Sequence, residues 1–194
     1  MMPLTLRRSV AQSLSRFVAS SLLLPMPSTT MSLTCEQHLQ CGKALFNFAW
    51  TLIEKADRTD DETELMINAS HASWMHWSKV GKPVNFARSE WQLARVYAVA
   101  GRAEPALHHA GRCLGLCRDH DLGGFDLAYA YEALARAEKL AGRPDEVRRY
   151  VKLADETAGT IPDAEDRKHV EEDLKGLRRD EGRGTRSEKN GRDR

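Results

Sequence analysis

From Cys35 to about Arg178 the apolar residues recur every three or four positions, the spacing that lines one face of an α-helix, and no segment alternates as a half-buried strand would. The interruptions are those of helix ends. Gly81-Lys82-Pro83, Gly101-Arg102-Ala103-Glu104-Pro105, Gly123-Gly124, Gly142-Arg143-Pro144 and Ile161-Pro162-Asp163 are breaks of this kind, most of them with a proline suited to the following first turn. Thr59 followed by Glu62 makes a capping box at the remaining boundary. The pattern predicts helices over about 35–57, 60–79, 84–100, 104–119, 125–141, 144–159 and 163–178.

The helical stretch repeats itself. Leu93-Ala94-Arg95 leading to Ala100-Gly101-Arg102 returns 41 positions later as Leu134-Ala135-Arg136 leading to Ala141-Gly142-Arg143, and the same shift carried backwards aligns Leu52 with Leu93. On the second helix of each unit it aligns Leu65, Ala106 and Val147, then Ala69, Ala110 and Val151, then Ala72, Cys113 and Ala154. All are small or apolar, as the inside of a packed hairpin requires. One hairpin cannot bury its apolar face alone, so such units must stack.

Ala87 to His120, with Leu93, Ala94, Tyr97, Gly101, Ala106 and Ala110, resembles a tetratricopeptide repeat. Ala128 to Ile161 is similar to a second copy, with Glu138 in place of Tyr97 and with Val147 and Val151 in place of small alanines. Phe46 to about Lys79 aligns as a third, with Asp60 where the turn glycine would stand. The resemblance implies an all-α, right-handed solenoid of about three stacked hairpins. The stripe Val170, Leu174, Leu177 on an otherwise charged segment suits a C-terminal capping helix. A helical bundle is the alternative architecture.

In such a solenoid the first helix of each hairpin builds a concave wall. Its exposed positions are expected at Asn47, Trp50 and Glu54, at Arg88, Trp91 and Arg95, and at Tyr129, Glu132 and Arg136. Arginine beside tryptophan and tyrosine is a composition typical of interface hot spots. These nine residues are the candidate partner-binding set, for a peptide or protein partner, an acidic one suiting the arginines. The competing expectation is that the tryptophans pack between hairpins and the arginines pair with Glu54, Glu90 or Glu132.

A second cluster, His71-Ala72-Ser73-Trp74-Met75-His76-Trp77, puts two histidines on one helix at a spacing of five, which does not share a face as four would. Trp74, Trp77 and Met75 are expected to anchor the hairpin while the histidines meet solvent or a carboxylate. A metal-binding or hydrolytic site using His71, His76 and His109 with Glu54 or Glu90 is the weaker alternative. His109, Cys113 and Cys117 form a stripe along one helix, yet its outer members lie about 12 Å apart at 1.5 Å per residue, too far for one ion. Cys113 is expected as a core thiol.

Composition adds bounds. With 41% apolar and 29% charged residues, the chain falls in the ordinary range of globular proteins. A formal net charge of +1 calls for no nucleic-acid partner. Residues 1–30 are rich in serine and contain no acid, with a short apolar run from Phe17 to Leu24 that falls below the roughly 20 residues a membrane span needs. They read as an extension or targeting segment, with Met31 as a candidate start. Residues 179–194 read as a disordered charged tail. Cys35, Cys41, Cys113 and Cys117 lack a Cys-x-x-Cys spacing and read as reduced thiols, giving a cytoplasmic location or, if 1–30 is a transit peptide, an organellar one. No phosphate-cradling loop, dinucleotide fingerprint, Gly-x-Ser-x-Gly or His-Glu-x-x-His occurs, so no cofactor and no catalytic residue is assigned. The expected function is a non-catalytic interaction module, with self-association through the tryptophan-rich face as a further alternative.

Overall fold

The computed structural model describes residues 32–178. Among them are seven α-helices and no strand: α1 (Cys35–Ile53), α2 (Asp60–Val80), α3 (Pro83–Val99), α4 (Ala103–Asp119), α5 (Phe125–Leu140), α6 (Pro144–Ala158) and α7 (Ala164–Arg178). The fold is all-α. The expected extension at 1–30 and tail at 179–194 lie outside the described residues. No helix among the described residues is long and apolar enough to cross a membrane.

The ends of these helices follow from local chemistry. Thr34 and Thr59 cap α1 and α2 with full capping boxes closed by Gln37 and Glu62, and prolines open α3 and α6. α3 and α5 terminate identically, one repeat apart. Gly101 and Gly142 adopt φ of 72° and 71°. The next amide returns to the turn before, Arg102 N–H to Tyr97 O at 2.9 Å and Arg143 N–H to Glu138 O at 3.0 Å. This is the glycine-closed helix end that satisfies carbonyls the last turn would otherwise leave orphaned. α1 has no such glycine and stops at Ile53, four residues before the sequence expectation. The Arg58 guanidinium turns back there and donates to the carbonyls of Leu52, Ile53 and Lys55 at 2.5, 3.3 and 3.0 Å.

Successive helices pack as pairs, α1 on α2, α3 on α4 and α5 on α6. The first helices of neighbouring pairs also touch, α1 with α3 and α3 with α5, and α5 in turn touches α7. The larger core cluster centres on α5, whose Ala128, Ala130, Ala133, Ala135 and Ala137 let neighbours approach closely. Val170, Leu174 and Leu177 of α7 are buried in it. A smaller cluster joins Leu52, Met66 and Ile67 to Leu93 and Val96.

The aligned leucines Leu52, Leu93 and Leu134 are all buried. In α2 the alignment slips by one residue. Leu65 is 47% exposed and Met66 is fully buried in its stead. From buried Leu52 to buried Met66 is one residue more than from Leu93 to Ala106, and one residue rotates a helix face by about 100°. Met75, expected as an anchor, is 43% exposed.

Candidate functional site

Where α1, α3 and α5 lie side by side, three of the predicted wall residues meet in a row. The ring centroids of Trp50 and Trp91 are 5.5 Å apart and those of Trp91 and Tyr129 5.0 Å. Phe125, at the start of α5, extends the row with its ring 4.8 Å from Tyr129. Arg88 forks onto Asp126, Nε to Oδ1 at 2.7 Å and Nη2 to Oδ2 at 3.2 Å, with its guanidinium 5.8 Å over the Phe125 ring. The hydrogen bond to Asp126 raises the already high pKa of Arg88.

Two adjoining pockets open along this row. One, of about 220 Å³, is lined by Phe46, Ala87, Arg88, Trp91, Cys113, Phe125, Asp126 and Tyr129. The other, of about 300 Å³, is lined by Lys43, Phe46, Asn47, Trp77, Asn85, Arg88 and Ser89. Phe46 and Arg88 belong to both. Asn47 is thus brought to the site, whereas Glu54 lies past the end of α1 and joins neither pocket.

The C-terminal part of the predicted wall differs from expectation. Tyr129 and Glu132 are buried, at 9% and 0% exposure, because α7 packs against α5 and closes over them. Glu132 binds Arg95 at 3.4 Å and also Arg136, and Asp173 of α7 stands 3.7 and 3.9 Å from the same two arginines. Burial, followed by the charges of Asp173 and Glu132, pushes the Tyr129 phenol well above its ordinary pKa. Trp91 Nε1, Arg95 Nε, Glu132 Oε2 and Arg136 Nε are buried in this centre without a hydrogen-bond partner. The arginines expected to face an acidic partner are therefore neutralised inside the molecule.

The histidines separate into two groups. His76 is buried against His38, Nδ1 to Nδ1 at 2.9 Å, and burial and then the neighbouring imidazole lower its pKa. His71 meets the Tyr97 hydroxyl at 2.8 Å, with the His109 ring 5.7 Å away. His109 Nδ1 is 2.7 Å from Glu90, a fully buried carboxylate that also accepts from Trp74 Nε1 at 3.0 Å and Arg112 Nε at 2.8 Å. Burial is the largest single influence and opposes the charge of Glu90, but the hydrogen bonds and charges of His109 and Arg112 together outweigh it and hold the carboxyl below its usual range. His76 thus stays apart from His71 and His109, and Glu54 from all three. Among the described residues no group of three or more His, Cys, Asp or Glu side chains is placed to hold a metal ion. Cys113 and Cys117 are both buried, and the neighbouring Cys117 sulfur, with burial, keeps the Cys113 thiol protonated.

No family model, no curated protein and no solved structure matches this chain. The site must be judged on its own geometry. Sequence reasoning missed Phe46, Phe125 and Asp126, which lie within about one turn of the wall positions Asn47 and Tyr129 and enter the site where α1, α3 and α5 meet. The available signal was Phe125-Asp126 opening a helix after Gly124, an aromatic and an acid at the end of α5 that faces the start of α3. The sequence offered Glu90 as a partner for the arginines or the histidines, and packing decides that Trp74 from α2 joins His109 and Arg112 from α4 on it.

Proposed function

We propose that this chain is a non-catalytic binding module that takes a peptide segment of a partner protein across α1, α3 and α5. The observation that carries the reading is the pair of adjoining pockets sharing Phe46 and Arg88, one aromatic and one lined by Lys43, Asn47, Asn85 and Ser89. An apolar pocket beside a row of amide and cationic groups suits an extended chain, whose side chain fills the first while its backbone hydrogen-bonds along the second. Trp50 and Trp91 supply rigid apolar area beside it.

The stacked tetratricopeptide-like arrangement is part of the same proposal. Its support is the identical glycine closure of α3 and α5, the buried leucine series and the contacts between first helices of neighbouring pairs. In this reading α7 corresponds to the first helix of a fourth unit, since Asp173 stands 41 positions after Glu132. The four free cysteines favour a reducing compartment.

Selection of a displayed random-peptide library on the full chain tests the reading. Enriched peptides should share an apolar or aromatic anchor and lose affinity about tenfold on Phe46→Ala, which removes the wall common to both pockets. Enrichment of nothing, or of peptides that bind the Phe46→Ala protein equally well, would overturn it.

A further inference from the structure

The aromatic pocket has a composition that an apolar side chain alone does not require. Four rings line it, from Phe46, Trp91, Phe125 and Tyr129, with buried Ala87 and Cys113 behind them and the ion pair Arg88–Asp126 beside them. Trp91 and Phe125 each meet Tyr129 at an interplanar angle of 63°, so neither ring shares its plane, and all three line the concave pocket. Aromatic faces carry negative electrostatic potential, and a cation set among several of them is attracted to all. The molecule already uses this attraction, because the Arg88 guanidinium rests over Phe125 while it binds Asp126.

The two members of that ion pair are unequally solvated. The Arg88 side chain is 52% exposed and that of Asp126 only 16%. A ligand that takes Asp126 sends Arg88 into water it already half occupies. A ligand that takes Arg88 strands a largely buried carboxylate, which is the costlier exchange. The pocket therefore favours a cation over an anion. A primary ammonium would bring three N–H donors to a lining whose one carboxylate is Asp126, whereas a quaternary ammonium has no donor to satisfy and presents methyl groups to the rings.

We infer that this pocket is a quaternary-ammonium site, seating a trimethylammonium group among Phe46, Trp91, Phe125 and Tyr129, with Asp126 as its counter-ion and Arg88 as the internal cation it displaces. The inference rests on the pocket assigned above to a peptide and names the chemistry it selects. The group has two sources, a trimethylated lysine side chain on the peptide or a free choline-type molecule.

The test titrates the full chain with choline, with the neutral isostere in which a tert-butyl group replaces trimethylammonium, and with two peptides that differ only in lysine or trimethyllysine. Calorimetry and ligand-detected NMR read the binding. Choline should bind about tenfold tighter than its neutral isostere, the ratio expected of a desolvated cation–π site. Arg88→Gln should tighten choline binding about threefold and Asp126→Asn should weaken it by a similar factor. Both variants break the same ion pair, so a merely structural role would move both affinities in one direction, and opposite signs distinguish the counter-ion from its competitor. Equal binding of choline and its isostere, or a change of the same sign in both variants, overturns the inference. Tighter binding of the trimethyllysine peptide than of choline identifies the peptide as the source. Choline binding with no added affinity from either peptide keeps the ammonium site and overturns the peptide reading instead. Selected peptides that depend on Phe46 yet show no preference for the methylated form overturn the ammonium site alone.

Discussion

At the scale of single residues, the polar groups inside this protein set its response to acid. His76 is buried against a second imidazole and its pKa is lowered, and the exposed His71 is shifted the same way by partial burial and by His109. The unfolded chain therefore binds more protons than the folded one between the depressed values and the ordinary histidine pKa of about 6.5. Stability climbs with pH through that window and is fully present above it. Glu90 acts in a lower window, because its carboxyl is held below the usual range. Its contribution is complete above about pH 4.5 and fades as the pH falls through its folded value. Urea denaturation at about pH 7.5 and about pH 5.5 should show a smaller loss on acidification for His76→Gln than for the natural chain. An equal loss in both would mean that His76 does not link protons to folding.

At the scale of helices, the repeated closure of α3 and α5 gives a paired expectation. Gly101 and Gly142 have the same left-handed φ, and a Cβ added at either meets nothing within 4 Å. Substitution by alanine therefore costs only the conformational term, about 1 kcal/mol at each site. Chemical denaturation of Gly101→Ala and Gly142→Ala should give matching losses. A large difference between the two would show that the two helix ends are not energetically equivalent despite their shared hydrogen bonding. Helix termini were also the most legible part of the sequence. Thr59 and Glu62 form the expected capping box, Pro83 and Pro144 open their helices, and each helix after the first begins and ends within about two residues of its expected position. α1 escaped because its last turn is closed by a side chain, Arg58, rather than by a glycine.

At the scale of the whole described molecule, α7 determines what the wall exposes. Its Val170, Leu174 and Leu177 enter the larger core, its Asp173 reaches Arg95 and Arg136, and its remaining surface is charged. Leu174→Ala removes a fully buried side chain and should cost about 3 kcal/mol. Leu140→Ala, at a residue 39% exposed on α5, should stay within about 0.5 kcal/mol. Equal costs would mean that α7 contributes little to the fold.

By itself the sequence determined that the chain is helical, where its helices begin and end apart from the close of α1, and that its leucines recur in a common frame. Those signals are local: a cap, a turn glycine or an apolar stripe acts over three or four residues, and the physics that reads it needs no distant partner. Only the tertiary structure decided which members of the wall stay open. Arg88 and Trp91 line the aromatic pocket with Trp50 beside it, whereas at the aligned positions one repeat on Tyr129 is buried apart from its share of that pocket and Glu132 is fully buried where α7 packs against α5. The same holds for Asp126, which becomes the partner of Arg88 from 38 residues away, and for Glu90, which gathers Trp74, His109 and Arg112 from two neighbouring helices. Burial and charge pairing are properties of what packs against a residue, and that is decided by contacts the local pattern does not encode.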